Sequence, residues 1–251
     1  MDDLNAFVIP QGCRIGRPLI LKALTGSTND DARLLASGGA GHGTTVLADA
    51  QTAGRGRLGR AWSSPSGENL YLSVVWRAGL DSIDPPLLAL GAGLAVSEAL
   101  DLFTPAPTAV KWPNDVRYHG KKLAGLLAEA IYRGSRANAV VLGLGVNVRG
   151  EVFPDSIRAI ATSLRIVRGE DVVRAVVLTA LFERLDGTLG QLCADGFGAI
   201  RQRLIDRCES IGARVTVGEI TGVGVDLDAG GALLIRDDYG AIHPVRAGEL
   251  R

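Results

Sequence analysis

The segment Gln51-Thr-Ala-Gly-Arg-Gly-Arg-Leu-Gly-Arg60 decides the fold class, because it joins two apolar runs through a long loop rich in glycine and arginine. Its glycines allow the backbone N–H groups to approach a ligand closely, since no Cβ intervenes. Its three arginines supply planar donor groups suited to phosphate or carboxylate. The segment is therefore predicted to hold an anionic ligand that contains phosphoryl groups.

The spacing of Gly54-Arg-Gly-Arg-Leu-Gly59 also satisfies the dinucleotide-binding pattern G-x-G-x-x-G, which requires a helix that begins at the last glycine. The residues that follow, 60–67, are turn formers without helical periodicity. A strand over residues 44–49 precedes the loop, and a second strand over residues 69–76 follows it. This order argues against a βαβ unit and favours a ligand lid, with a solvated surface loop as the alternative.

Composition predicts a soluble protein in the cytoplasm. The 251 residues include 27 basic and 27 acidic side chains, so no bulk attraction to nucleic acid or to an anionic membrane is expected. The three cysteines are odd in number and widely spaced, which fits neither a disulfide framework nor a zinc site and indicates a reducing compartment. The N-terminus lacks the layout of a signal peptide, and the most apolar run, residues 87–96, is too short to cross a bilayer.

The remaining pattern predicts an α+β fold, in which helices flank a mixed or antiparallel sheet and a small barrel follows. Helices are predicted over residues 27–36, 85–100, 171–192 and 198–206, with a polar break at 165–168. Further strands are predicted over residues 109–112, 116–119, 121–132 and 139–148. From about Ile211 onward, four short segments separated by Gly and Asp turns predict a small antiparallel barrel. We therefore expect a catalytic domain over residues 1–206 and a barrel over residues 207–251.

Four segments are predicted to assemble one site. Ser27-Thr28-Asn29 offers hydroxyls and an amide at a helix start, where plain helix capping is the alternative. The loop that begins at Gln51 is the second segment. Lys111-Trp-Pro-Asn-Asp115, followed by Lys122, is the third; Lys122 precedes a buried run and should meet an anion there, unless the hairpin end is solvated. The glycines of Gly143-Leu-Gly-Val-Asn147 leave room for a flat group, or else for tight helix packing.

The predicted site has cationic donors but no nucleophile paired with a base. Such a site suits a reaction whose main requirement is charge stabilisation, for example attack of a carboxylate on the α-phosphorus of ATP. Both reactants are anions that repel each other, so Arg, Lys and Mg²⁺ are needed between them. The sequence has no G-x-x-x-x-G-K-[ST] motif, which argues against a P-loop enzyme.

Taken together and in this order, these motifs resemble those of the biotin protein ligases, also called biotin–[acetyl-CoA-carboxylase] ligases or holocarboxylase synthetases. The matching segments are Ser27–Asn29, Gln51–Arg57, Gly59–Trp62, Asn69–Ser73, Lys111–Asp115, Lys122–Gly125 and Gly143–Asn147. The resemblance implies a catalytic domain like that of class II aminoacyl-tRNA synthetases, followed by an SH3-like β-barrel. It also implies two reactions: biotin and ATP give biotinyl-5′-AMP, and a lysine of a biotin carboxyl carrier domain then takes the biotin as an amide.

The resemblance also assigns roles to individual residues. Lys122 and Arg57 are expected to be catalytic, with Lys122 at the biotin carboxylate and the α-phosphate, and Arg57 in the lid that retains the intermediate. Asp115 is a candidate Mg²⁺ contact. The expected biotin contacts are Ser27, Thr28, Asn29, Gln51, Arg55, Gly56, Arg57, Lys122 and Gly125. The expected nucleotide contacts are Arg55, Arg57, Trp62, Asn114 and Asn147.

The resemblance also implies which partners the protein binds and which rival activities have to be considered. The acceptor is expected to belong to acetyl-CoA carboxylase or a related acyl-CoA carboxylase, and a homodimer is possible. The residues that precede Ser27 are too few for a winged helix-turn-helix, so DNA is not an expected partner. The zero net charge and the short apolar run argue against a membrane as a partner. The nearest rival activity is that of a lipoate or octanoate ligase, and a non-enzymatic binding module is a second alternative.

Overall fold

The computed structural model describes residues 2–81, 83–248 and 250, which form two β-sheets and six α-helices. The helices are α1 Asp2–Asn5, α2 Thr28–Ser37, α3 Pro85–Leu100, α4 Leu164–Arg168, α5 Arg174–Asp195 and α6 Gly198–Arg207. The strands are β1 Leu19–Thr25, β2 Thr45–Gln51, β3 Leu70–Trp76, β4 Ala109–Lys111, β5 Asp115–Tyr118, β6 Lys121–Arg133, β7 Arg136–Val146, β8 Arg214–Val217, β9 Ile220–Leu227, β10 Leu233–Arg236 and β11 Ile242–Val245.

The larger sheet has seven strands in the order β1-β2-β3-β7-β6-β5-β4. Strands β1 and β2 run parallel, and every other neighbouring pair is antiparallel. The sheet is therefore mixed, as predicted. Because β2 and β3 are adjacent antiparallel strands, the loop that joins them over residues 52–69, the glycine–arginine loop, lies at the ends of these two strands and is fixed on both sides.

Side-chain alternation along β7 separates the two faces of this sheet. Val140, Leu142 and Leu144 join the main core, where α3 and α5 pack. Val141 belongs to a smaller cluster on the other face, beneath α2. Gly143 shares that second face, and its missing side chain lets α2 approach the strand closely.

The second sheet has four antiparallel strands in the order β11-β10-β9-β8. The bounds of these strands along the chain are close to those of the four segments predicted after Ile211. It packs against the first sheet through Trp112, whose indole Nε1 donates to the Gly231 carbonyl at 3.1 Å. Gly231 also lies against Leu87 and Leu90 of α3, where an added Cβ would come within 2.8 Å and 2.5 Å of their methyl carbons.

Two sequence predictions are corrected by the structure. Residues 165–168 form part of α4 rather than a polar break, because the Ser163 hydroxyl caps the helix and accepts from the Ile166 N–H at 3.2 Å. Gly169, with φ of 73°, ends the helix in the left-handed region. In addition, the helix predicted from residue 171 begins at Arg174.

Helix α3 together with the following turn, through Phe103, is long and apolar enough to span a membrane by length and composition alone. The prediction that this region is too short rested on residues 87–96 and was wrong in that respect. Within its most apolar stretch, 72% of the residues are buried in the protein. The helix packs there against α5 and the larger sheet. A core helix satisfies the same criteria of length and composition.

The His42 side chain should make the free energy of unfolding depend on pH. Its ring lies edge-on to Trp76 at 4.4 Å, and its Nδ1 accepts from the Arg77 N–H at 3.2 Å. Burial lowers the pKa of His42 below its ordinary value of 6.5, so the unfolded state binds a proton more readily than the folded state. The free energy of unfolding should therefore be highest above about pH 6.5 and should fall as the pH drops below that value.

Denaturant titrations of the wild type and of His42→Phe at several pH values test this dependence. Phenylalanine keeps the aromatic contact with Trp76 and removes the titrating group. The variant should show a flatter dependence of unfolding free energy on pH between about 7 and 5. An unchanged slope in the variant would contradict the assignment to His42.

Candidate active site

Two adjoining cavities lie where α2, the glycine–arginine loop and strands β6 and β7 meet. The smaller encloses about 440 Å³ and the larger about 1390 Å³, including the space open to solvent. The cavities share a wall formed by Gly56, Arg57, Trp62, Asn114 and Lys122.

Every residue predicted for the site lines at least one of these cavities. The smaller is lined by Ser27, Thr28, Asn29, Gln51, Arg55 and Gly125, besides the shared wall. Asp115 and Asn147 line the larger cavity. The four sequence segments therefore converge, although they are far apart along the chain.

A chain of hydrogen bonds positions the polar groups of the smaller cavity. The Gln51 Oε1 accepts from the Thr28 N–H at 2.9 Å and from the Thr28 hydroxyl at 3.2 Å. On its other side, the Gln51 Nε2 donates to the Ser64 hydroxyl at 2.9 Å. The Ser73 hydroxyl lies 2.8 Å from the Thr28 Oγ1 and 2.6 Å from the Asn29 Oδ1. These bonds fix Thr28 and Gln51 as neutral polar groups at the cavity wall.

Ser64 and Ser73 belong to this network but were not among the residues predicted for the site. Ser73 did carry a signal, because it is a polar side chain within the otherwise apolar strand β3, where it is fully buried. Glu129 was also missed; its Oε2 accepts from the Asn29 Nδ2 at 2.8 Å and so fixes that amide.

Ser27 does not act as an ordinary helix cap. It occupies the N-cap position of α2 with an extended backbone, but its side chain makes no capping hydrogen bond. The residue lines the smaller cavity instead. Of the two interpretations of this segment, the geometry favours the one in which the helix start presents polar groups to a ligand.

Groups of this chain cover the glycines of β7, and at Gly143 the structure shows tight packing of helix α2, which was the alternative to room for a flat ligand. A Cβ at Gly143 would lie 2.0 Å from the Asn29 Oδ1, so α2 can approach the strand only because no side chain is present. A Cβ at Gly145 would lie 2.3 Å from the Trp62 indole. Gly125, which pairs with Gly145 across the sheet, likewise faces the Trp62 ring.

A β-bulge directs Lys122 into the site. Val116 pairs with Ala124 whereas Arg117 pairs with Lys122, so Leu123 is an extra residue in β6. Leu123 and Ala124 are both buried in the main core, and the alternation of side chains is therefore broken between them. Lys122 consequently turns to the opposite face, where its Nζ would lie 3.0 Å from a Cβ at Gly125.

The Lys122 ammonium lies at the junction of the two cavities. Its Nζ is 2.7 Å from the Asp115 Oδ1 and 5.1 Å from the centroid of a Trp62 ring. The predicted anion beside Lys122 is thus Asp115, held across the hairpin. The backbone of Lys122 is fixed as well, since its N–H donates to the Ile160 carbonyl at 2.7 Å. A solvated hairpin end describes Lys121, which is exposed, but not Lys122.

The arginines at the tip of the loop are bound to other parts of the chain. Arg55 forms two hydrogen bonds with Asp30 of α2, at 2.7 Å and 2.5 Å. Arg57 donates to the Asn114 Oδ1 at 3.0 Å and to the Gly248 carbonyl at 3.1 Å. The loop is therefore attached to the helix on one side and to the turn before β5 and the C-terminal segment on the other.

The contribution of the C-terminal segment was not predicted. Gly248 and Leu250 both line the larger cavity. The Leu250 carbonyl accepts from the Lys111 Nζ at 2.9 Å. These contacts join residues separated by more than a hundred positions, so no local sequence pattern could indicate them.

Comparison with known proteins agrees with this geometry. Residues 23–147 match the model of the biotin/lipoate A/B protein ligase family. The chain is 34% identical over 232 residues to the bifunctional ligase/repressor BirA of Bacillus spizizenii, covering 90% of this chain and 71% of that protein. It is 36% identical over 227 residues to the biotin–[acetyl-CoA-carboxylase] ligase of Paracoccus denitrificans, covering 87% of this chain and 94% of that protein.

Among solved structures, the biotin protein ligase from Aquifex aeolicus in complex with biotin and ATP superimposes with a TM-score of 0.82. The two chains are 33% identical, and the match covers 93% of this chain and 97% of the Aquifex chain. The segments that carry the sequence resemblance are also those that the structure brings together around the two cavities. The chain belongs to the biotin protein ligase family.

Proposed function

We propose that this protein activates biotin with ATP to biotinyl-5′-AMP and then transfers the biotin to a lysine of a biotin carboxyl carrier domain. The observation that carries this proposal is the position of the Lys122 ammonium at the junction of two cavities, where the smaller cavity presents the neutral polar groups of Thr28 and Gln51 and the larger cavity adjoins it. The Aquifex aeolicus relative was solved with biotin and ATP.

In the first reaction, biotin occupies the smaller cavity with its ureido ring near Thr28 and Gln51. Its carboxylate then points toward Lys122, and the α-phosphate of ATP lies on the other side of the ammonium. A carboxylate oxygen attacks the α-phosphorus and pyrophosphate leaves, so negative charge accumulates on the phosphoryl oxygens. Lys122 and the N–H groups of the loop stabilise that charge, and no protein nucleophile is needed.

In the second reaction, the neutral amine of the acceptor lysine attacks the carbonyl of biotinyl-5′-AMP, and AMP leaves. The hydrogen-bonding edge of β6 lies beside the smaller cavity, because β5 pairs with β6 only as far as Gly125. We propose this edge as the surface on which the carrier domain docks, the carrier being that of acetyl-CoA carboxylase or a related acyl-CoA carboxylase. We also propose that two copies of the chain associate through the larger sheet.

We assign the nucleotide to the larger cavity, with Trp62 and Asn114 in its wall. Asn147 also lines it, but the Asn147 Nδ2 donates to the Thr162 carbonyl at 3.0 Å. A contact between Asn147 and adenine would therefore use Oδ1. Arg57 completes the proposed nucleotide contacts, whereas Arg55, which the resemblance also assigned to the nucleotide, lines only the smaller cavity and is held by Asp30.

The described residues do not form a dedicated site for Mg²⁺. They include no group of three His, Cys, Asp or Glu side chains placed to hold a metal ion, and Asp115 is engaged by Lys122. Mg²⁺ is commonly held largely by substrate phosphates, and we infer that it enters with ATP. The contact between Asp115 and a metal stays a prediction.

We further propose that residues 1–206 form a catalytic domain of the class II synthetase type and that residues 207–251 form an SH3-like barrel. The end of α6 at Arg207 and the four-stranded sheet that follows support this boundary. We place the protein in the cytoplasm, which is supported by its three free cysteines, Cys13, Cys193 and Cys208.

The activity is tested by incubating the protein with ATP, Mg²⁺, biotin and an acceptor carrier domain, with biotin transfer measured by intact mass. One biotin per acceptor is expected, and replacing biotin with lipoate or octanoate should give no product. Transfer of lipoate but not of biotin would contradict the proposal and support the rival ligase, which the relatives named above do not favour.

Arg57→Gly should allow adenylate synthesis but let the intermediate escape. Glycine removes the bonds from the loop to Asn114 and Gly248, so the lid over the junction is released on that side. Free biotinyl-5′-AMP should then label lysines of a bystander protein such as serum albumin, detected by a streptavidin blot. If labelling stays confined to the acceptor domain, the lid assignment of Arg57 is wrong.

A further inference from the structure

The two arginines at the tip of the loop make different kinds of contact. Arg57 binds groups in the wall of the larger cavity, whereas the Arg55 guanidinium is held by both carboxylate oxygens of Asp30, at 2.7 Å and 2.5 Å. Asp30 lies in the first turn of α2, directly after Ser27–Asn29. Arg55 thus attaches the loop to the helix that presents polar groups to the smaller cavity.

The attachment of Arg55 acts on the whole tip of the loop, because the tip is a short antiparallel turn. Arg55 pairs with Ala61 across this turn, and the Gly56 N–H donates to the Arg60 carbonyl at 2.8 Å. Trp62, which follows Ala61, covers Gly125 and Gly145 with its indole. Backbone hydrogen bonds therefore connect the position of Arg55 to that of the Trp62 ring, which lies over the glycines of the smaller cavity.

The charges of this pair favour a contact that opens and closes. The hydrogen bond from Arg55 holds the pKa of Asp30 below its ordinary value, so the carboxylate is charged at neutral pH. The side chains of Arg55 and Asp30 remain 37% and 52% exposed. Exposed ion pairs are weak and are screened by salt, in contrast to buried pairs, which cannot separate without a large penalty.

We propose that Asp30 is a positioning residue that latches the loop through Arg55 and so sets how long activated biotin is retained. This inference rests on the proposed function, since it concerns the lifetime of the intermediate in that site. It assigns the Arg55 side chain to Asp30 instead of to the ligand. Asp30 needs no contact with biotin or nucleotide to act in this way.

A double-mutant cycle of Asp30→Asn and Arg55→Gln tests the latch. The protein is loaded with biotin, ATP and Mg²⁺ in the presence of pyrophosphatase, and the release of radiolabelled biotinyl-5′-AMP into excess unlabelled biotin is timed. Asp30→Asn should speed release about two- to five-fold, which is the size expected for loss of one exposed pair. If Arg55 acts through Asp30, Arg55→Gln and the double variant should show the same increase.

A matched pair of the same geometry serves as the control. Arg214 and Asp238 form two parallel hydrogen bonds at 2.8 Å and 2.7 Å on the second sheet, outside both cavities. Asp238→Asn should leave the release rate unchanged. The charge reversal that combines Asp30→Arg with Arg55→Asp should restore the wild-type rate, which a purely structural role of Asp30 would not predict.

Salt gives an independent measurement on unmodified protein. Raising ionic strength from about 0.05 M to about 1 M should speed release from the wild type toward the rate of Asp30→Asn, and should affect that variant less. A release rate of Asp30→Asn equal to that of the wild type would overturn the latch. A much larger effect of Arg55→Gln than of Asp30→Asn would also overturn it, because Arg55 would then act on the ligand directly.

Failure of the latch can be distinguished from failure of the proposed function. If the wild type forms biotinyl-5′-AMP but the cycle shows no coupling, only the latch is wrong. If the wild type forms no biotinyl-5′-AMP from biotin and ATP, the proposed function fails first.

Discussion

Lys122→Ala should lower the rate of biotinyl-5′-AMP formation by about 10²–10³-fold, the effect typical of removing one donor that stabilises transition-state charge. The reason is the position of the Lys122 Nζ at the junction of the cavities, where carboxylate and α-phosphate must meet despite their mutual repulsion. Alanine leaves the bulge in β6 intact but removes the ammonium. Asp115 then loses its partner at 2.7 Å, and its carboxylate stays in the same region without the ammonium beside it.

Single-turnover release of pyrophosphate measures this loss, with saturating biotin and ATP. Lys121→Ala is the matched control, because Lys121 is the adjacent residue of β6 but is exposed and lines neither cavity. It should retain the wild-type rate. Denaturant unfolding of both variants should show that the fold persists, and a normal pyrophosphate rate in Lys122→Ala would refute its catalytic role.

Arg174→Met should lower the free energy of unfolding by about 3–5 kcal/mol, because it removes a buried guanidinium that pairs with the buried Asp49 and the partly buried Asp3. The Arg174 side chain is 1% exposed, and its guanidinium lies 2.8 Å from the Asp49 Oδ1 and 2.7 Å from the Asp3 Oδ1. The same group donates to the Asn69 carbonyl at 3.2 Å. Methionine fills most of the volume but satisfies none of these acceptors.

The pH dependence of this effect follows from Asp49. Burial raises the pKa of Asp49, but hydrogen bonds from Ser66 and Arg174 outweigh burial and hold the pKa below its ordinary value. In the wild type, Asp49 therefore contributes stability above its unfolded pKa and loses it as the pH falls through the folded pKa. Without Arg174 the pKa should rise, so the deficit of the variant should shrink as the pH is lowered from neutrality.

Urea titrations at about pH 7.5 and about pH 4.5 measure both the deficit and its change. Arg168→Met is the control, since Arg168 is an exposed arginine paired with the exposed Glu170, and its substitution should cost no more than about 0.5 kcal/mol. Equal unfolding free energies for the two variants at neutral pH would contradict the role given to Arg174.

The buried pair also connects stability to the site. The Asp49 Oδ2 accepts from the Ser66 hydroxyl and from the Gly67 N–H, the latter at 3.1 Å. Ser66 and Gly67 end the glycine–arginine loop just before β3. Arg174 therefore supports the exit of the loop from the core side, far from the exposed tip held by Asp30.

Elements set by local signals could be predicted from the sequence nearly to their ends. Helix α3 begins at the first of two prolines and ends at Leu100, as predicted, and the strands on either side of the loop lie within two residues of their predicted bounds. The short helix α4 was not predicted, although Ser163 and Gly169 are ordinary capping residues. The helix has five residues, two of them arginines, so its apolar side chains are too few to show a helical period.

The site was predictable as a set of residues but not as a set of contacts. Polar and glycine-rich motifs indicated which side chains converge, since those residue types are unusual beside buried strands. The bulge that turns Lys122 toward Gly125 depends on pairing with β5 and leaves no mark in the local pattern. The bond from Arg57 to the Gly248 carbonyl joins segments 191 residues apart and could not be read from either.

If groups from separate segments place biotin and ATP on the two sides of the Lys122 ammonium, bound biotinyl-5′-AMP must span both cavities. A crystal structure of the protein with biotinyl-5′-AMP shows whether it does. We expect the biotin bicycle in the smaller cavity beside Thr28 and Gln51, the adenosine in the larger cavity, and the Lys122 Nζ within hydrogen-bond distance of the phosphate. An adenylate bound elsewhere, or one that Lys122 does not touch, would contradict this arrangement.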